Sequence, residues 1–169
     1  MDVYEFTHHG ELVNLNEAVG MAKHSPFTYS SMKKKADEAI RRSIQRDLPM
    51  VRLGEQPFLL VCTWFMKATE KSGYVKMDPD NVATAVKYVL DAMQPKYEYV
   101  KVPGQKKKRK VLVATGIIDN DNFATLSGGI IHRFKKSPDG EMHAKFALVM
   151  GGDINLPGIA DSETDKQLF

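Results

Sequence analysis

The chain is poor in cysteine: its 169 residues hold one, Cys62, so no intrachain disulfide can form. Scarce cysteine points to a reducing compartment, and the expected location is the cytoplasm. Long apolar runs are missing as well. The longest, Phe58 to Met66, spans nine residues and is too short to cross a bilayer. Met1, Asp2, Val3, Tyr4 and Glu5 are not a positive region leading into an apolar one, so neither export nor a membrane partner is expected. Several chemistries are absent by motif: there is no phosphate loop ending in lysine, no His-Glu-x-x-His, no Cys-x-x-Cys and no Gly-x-Ser-x-Gly. His8 and His9 are adjacent and cannot easily share one metal, and His24, His132 and His143 are dispersed. Each reads as a surface or internally satisfied histidine. Cys62 lies in the apolar run with no cationic neighbour to hold a thiolate, which suits a small core residue rather than a nucleophile.

What remains is a globular composition, 43% hydrophobic and 27% charged, long enough for one domain with one core. Its charge is uneven. The net value is +3, yet between Gln94 and Thr115 Lys96, Lys101, Lys106, Lys107, Lys108, Arg109 and Lys110 face only Glu98. That segment is +6 and the remainder is −3. Clustered positive charge suits a polyanion, because binding there releases several phosphate counterions together. A solvated hairpin tip accounts for the same residues.

The pattern of the chain predicts an α+β fold. Met32, Ala36, Ala39, Ile40, Ser43, Ile44 and Leu48 recur at helical spacing opposite a charged face, giving a helix over about Ser30 to Leu48 that Pro49 closes. Pro57 to Lys67 reads as a strand covered on both faces, in the middle of the sheet. Asp78, Pro79, Asp80 and Asn81 read as the start of a second helix running to about Met93. Tyr97 to Val102 and Lys110 to Thr115 form a basic-tipped β-hairpin. Further strands are expected near Phe123 to Phe134 and His143 to Met150, joined by the turn Ser137-Pro138-Asp139-Gly140. From residue 151 onward the chain is polar and acidic (Asp153, Asp161, Glu163, Asp165) and reads as a loosely held tail.

At about 100° per residue, Asp80, Thr84, Lys87 and Asp91 fall in one polar stripe of the second helix, with Val82, Val86, Val89 and Met93 nearly opposite. The apolar side must meet the sheet, so the stripe faces outward, toward solvent or a ligand. A surface helix with a Lys87–Asp91 pair would look the same. Asp78 and Asp80 across one proline make a usable site for a hard cation such as Mg²⁺, though capping and the helix dipole explain both acids without metal. Asp119, Asn120, Asp121 and Asn122 form a second cluster that a turn would also explain. Neither cluster is a calcium loop: counting from Asp119 puts Phe123 at the fifth ligand place, and counting from Asp78 puts Val82 there.

The order of these features, Lys-Met-Asp-Pro-Asp-Asn, then Lys87 ahead of Leu90-Asp91-Ala92-Met93, then Gly116-Ile-Ile-Asp-Asn-Asp-Asn, resembles the RusA family of Holliday junction resolvases of phages and prophages. The likeness extends more weakly from about Asn14 to the strand near Met150. It implies a single nuclease domain over residues 1–150, built as a mixed β-sheet with two main helices, with the hairpin at about 96–115 as an insertion. By the same resemblance Asp78, Asp80 and Asp121 match the metal-binding aspartates. Lys87, aligned through Asp91, matches the catalytic lysine. Counted forward from Asp80, that position would be Thr84. Asn81, Asp91, Asp119 and Asn120 are secondary candidates, and the choice between Asp119 and Asp121 as third ligand stays open. The implied protein is a homodimeric endonuclease using Mg²⁺, with Mn²⁺ as a substitute, that nicks paired strands of a four-way DNA junction in recombination and repair. Lys101, Lys106, Lys107, Lys108, Arg109 and Lys110 would grip the DNA backbone without reading bases. A nuclease for other branched phage DNA, or a branched-DNA-binding protein without catalysis, fits the same motifs.

Overall fold

The computed structural model describes residues 1–13, 15–67, 79–122 and 125–151. The chain is an α+β domain whose elements, in order, are β1 (Asp2–His9), α1 (Leu15–His24), α2 (Pro26–Asp47), β2 (Phe58–Met66), α3 (Pro79–Met93), β3 (Lys96–Val100), β4 (Arg109–Ala114), β5 (Ile130–Lys136) and β6 (His143–Met150). The main sheet has the order β1-β6-β2-β5, antiparallel except for the parallel β2–β5 pair, and β3 and β4 form a separate hairpin. As its sequence indicates, β2 lies inside the sheet, and Phe58 to Cys62 are all buried. Among the described residues, no helix is long and apolar enough to cross a membrane.

Strand alternation sends Phe6, Phe58, Leu60, Cys62, Trp64, Phe146 and Leu148 to the face where the helices lie, and they form the core with Ile40, Ile44, Val82, Val86, Val89 and Met93. Helix α3 presents the pattern expected of it: Val82, Val86, Val89 and Met93 are buried, Thr84 and Asp91 are half-buried, and Lys87 is exposed.

The structure differs from the expectations at four points. Helix α2 begins at Pro26, not Ser30: Ser25 is its N-cap, its Oγ accepting from the Phe27 N–H at 3.1 Å, and Pro26 takes the first helical position. The apolar period hides this first turn because Phe27 is 83% exposed. Among the described residues a third, shorter helix, the ten-residue α1, packs on both main helices, α2 and α3. The fold also has an N-terminal strand that the sequence reading left out. In β1, Phe6 and His8 are buried and Tyr4 is half-buried, so a period of two was present. His8 is held by Ser43 (Nδ1 to Oγ 3.1 Å), and burial lowers its pKa, with His9 and Arg46 adding to the effect. Strand β5 begins at Ile130 rather than near Phe123, because Thr125 to Gly128 form a turn.

Candidate active-site face and nucleic-acid interface

Arg41 of α2 fixes the end of α3 and the root of the hairpin. Its guanidinium donates to the Gln94 and Asp91 carbonyl oxygens at 2.8 and 3.2 Å and to the Asp37 carboxylate at 2.8 Å, and Lys96 reaches the same carboxylate at 2.6 Å. This satisfies carbonyls that the helix end leaves open. It also sets the outward stripe of α3 beside α2. There Asp91 pairs with Lys33 at 3.0 Å and, more loosely, with Lys87 at 3.6 Å. The bond to Asp91 raises the Lys33 pKa, so this ammonium stays charged. The Tyr88 and Tyr29 hydroxyls meet at 3.4 Å.

A groove of about 470 Å³ runs between these elements, lined by Lys33, Lys34, Tyr88, Asp91, Lys96 and Tyr97. Lys110 of β4 lies 4.0 Å over the Tyr97 ring, so the cationic lining continues onto the hairpin. Both hairpin strands are almost wholly exposed, with register Tyr97↔Leu112 and Tyr99↔Lys110. Lys101, Lys106, Lys107, Lys108, Arg109 and Lys110 are all exposed on or beside it, an arrangement able to contact several phosphates without base readout.

The second acidic cluster is a built turn. Asn120 Oδ1 accepts from the Asn122 N–H at 3.2 Å and lies 3.0 Å from Thr125 Oγ1, and Asn122 Oδ1 accepts from the Thr125 N–H at 3.1 Å. Asn120 is therefore spent on backbone geometry. Asp119 is paired with Arg52 at 3.1 Å, and its N–H donates to the Gly54 carbonyl at 3.0 Å. The half-buried Asp121 carboxylate has no partner among the described residues. Among the described residues, Asp119 is thus the ion-paired one of the two acids.

Asp78 lies outside the described residues, and of Asp80 and Asn81 only the helical backbone of α3 is described. That backbone is enough to locate the first turn of α3. Val82 and Ala85 line a small cavity with Trp64 and Met66, at the far end of β2. The Asp121 turn sits at the near end, where the Phe58 N–H donates to the Thr125 carbonyl at 2.8 Å. The other end of α3 agrees, since the Met93 carbonyl accepts from Ile117 and Ile118 at 2.8 and 3.2 Å. A helix of this length separates its ends by on the order of 20 Å, far more than one ion can bridge. Within one chain the structure does not bring Asp121 to the first turn of α3. Among the described residues, no three His, Cys, Asp or Glu side chains are grouped to hold a metal ion.

Two features escaped the sequence reading. The groove brings Lys33 and Lys34 of α2 together with Lys96 of β3, and Arg41 ties the end of α3 and the start of the hairpin to α2. No spacing rule reports such a meeting. No protein-family model matches the chain, and no curated protein matches it.

Proposed function

We propose that this protein is a divalent-cation-dependent endonuclease of branched DNA whose active site is completed by a second copy of the chain. The observation that carries the reading is the outward stripe of α3, with Lys87 and Asp91, opening onto a cationic groove that continues along the lysine-rich hairpin. The resemblance to RusA resolvases supplies the chemistry. Asp80 in the first turn of α3 and Asp78, two residues before it in the sequence, in one copy, with Asp121 of the other, would offer the hard oxygen donors that Mg²⁺ or Mn²⁺ prefers. A bound ion would polarise a water and neutralise charge on the scissile phosphate.

The chain's own residues do the rest. Lys87 is exposed beside Asp91 and can stabilise charge developing on the phosphate. The groove and hairpin lysines hold the backbone. Two sites related by the dimer axis would give the two nicks that resolving a junction requires.

The test is incubation with a synthetic four-way junction, a linear duplex and a flap, in Mg²⁺ or Mn²⁺. The expected result is symmetric nicking of the junction, absent in EDTA and absent in Asp80→Asn. A junction that shifts in a gel but is never cut would replace the nuclease with a binding protein. Cutting of the flap alone would assign another branched substrate.

A further inference from the structure

The side of the main sheet away from the core has no helix on it among the described residues, and its register sorts its side chains into two zones. Where β2 begins, Leu59, Val61 and Val149 are buried, with Ile131 and Ala147 packed against them. Toward the other end the character changes. Thr7, Lys145, Thr63 and Arg133 align in one row across β1, β6, β2 and β5, and His9, His143, Phe65 and Lys135 align in the next. Phe65 stacks on His143 with centroids 4.3 Å apart and planes 12° from parallel, and His143 stacks on His9 at 5.9 Å and 30°. The three rings form a ladder across three strands.

The charge left unpaired on this zone has one sign. Glu5 is the acid that the strands place there, and Lys145 neutralises it at 2.6 Å. Arg133 and Lys135 are exposed, with no ion-pair partner among the described residues. They stand two residues apart on the edge strand β5, roughly 6.6 Å, so each can take a different phosphate.

We propose that this zone is a binding site for single-stranded DNA, with unpaired bases stacked on the outer faces of Phe65 and His9, the end rings of the ladder that His143 spaces, and phosphates held by Arg133 and Lys135. Rings among unpaired cations suit a strand whose base faces are free, because base–aromatic stacking tolerates any sequence and the cations track the backbone. Duplex DNA hides its base faces and would meet only the charges. Edge strand β5 leaves the cationic side of the platform open. The site lies across the sheet from the helices that form the lysine groove, so it is a second contact and not an extension of the first. The choice of DNA over RNA rests on the proposed function.

The experiment is fluorescence anisotropy in EDTA with a labelled oligo-dT of about twenty nucleotides, a length that fills such a surface, competed by a duplex and by an oligo-rU of the same length. Oligo-dT is expected to bind about tenfold more tightly than the duplex. Arg133→Gln with Lys135→Gln should weaken it about tenfold and lower the salt slope by about 1.4. Phe65→Leu and His143→Ala should weaken binding and leave that slope unchanged. Both substituted cations are exposed, so the double variant should keep its thermal transition, and Phe65→Leu keeps an apolar side chain if His143→Ala disturbs packing.

Equal binding of duplex, tighter binding of oligo-rU, or indifference to both ring substitutions would each overturn the proposal. Binding is read without metal and without cleavage. A protein that grips oligo-dT but never cuts a junction overturns the nuclease reading alone, and one that cuts junctions without preferring oligo-dT overturns this site alone.

Discussion

A methyl group on Gly116 would stand 2.5 Å from the Met93 carbonyl oxygen, the Gln94 carbonyl carbon and the Pro95 nitrogen. All three are backbone atoms, so none can swing aside. Gly116→Ala should therefore cost about 2–3 kcal/mol, read as a lower urea midpoint with an unchanged m-value; an unaltered midpoint would mean the two segments do not cross this closely. The same crossing matters for the site, because it hands Ile117 and Ile118 to the end of α3 and so fixes where Asp119 and Asp121 emerge. Single residues also show what a sequence can and cannot tell. Cys62 is fully buried and its thiol is pushed up to about 12 by burial, an inert core residue as its apolar setting indicated. Nothing in the order of Asp119 and Asp121 reveals that Asp119 is held by Arg52 while Asp121 has no partner among the described residues.

Among the elements, α3 was the most legible, because a period of 3.6 fixes which side of a helix is buried regardless of what covers it. That is why Lys87 and Asp91 face outward as their spacing required. Periodicity reports the face of a helix and not which neighbour lies at which end, so the separation of the α3 first turn from the Asp121 turn was invisible. Strand β1 and the start of α2 carried their signals in short stretches, the alternation of Tyr4, Phe6 and His8 and the Ser25-Pro26 cap. The joint between α2, α3 and β3 depends on Arg41, whose side chain and that of Asp37 are 14% and 17% exposed. Arg41→Ala removes the donors of two carbonyls and leaves Asp37 with Lys96 alone, so a loss of about 2–3 kcal/mol is expected. Because this joint roots the hairpin, DNA affinity should fall with stability in that variant; a stable protein with unchanged binding would show that the hairpin is positioned by something else.

For the whole molecule, the proposed function divides the acids between two places in one chain, and a symmetric pair of chains would unite them. The charge distribution fits that assembly, since a +6 segment on a −3 remainder gives a dimer two basic arms on a less basic body. If Asp80 of one copy works with Asp121 of the other, as proposed, a mixing experiment shows it directly. Asp80→Asn and Asp121→Asn are each expected to be inactive on a four-way junction. When the two are unfolded together, refolded as mixed dimers and assayed in Mg²⁺, half of the dimers should be mixed, each with one intact site of two. The account predicts recovery of about a quarter of the wild-type nicking rate, as single unpaired nicks. No recovery from mixed dimers shown to have formed would place both aspartates in the same chain's site and contradict it.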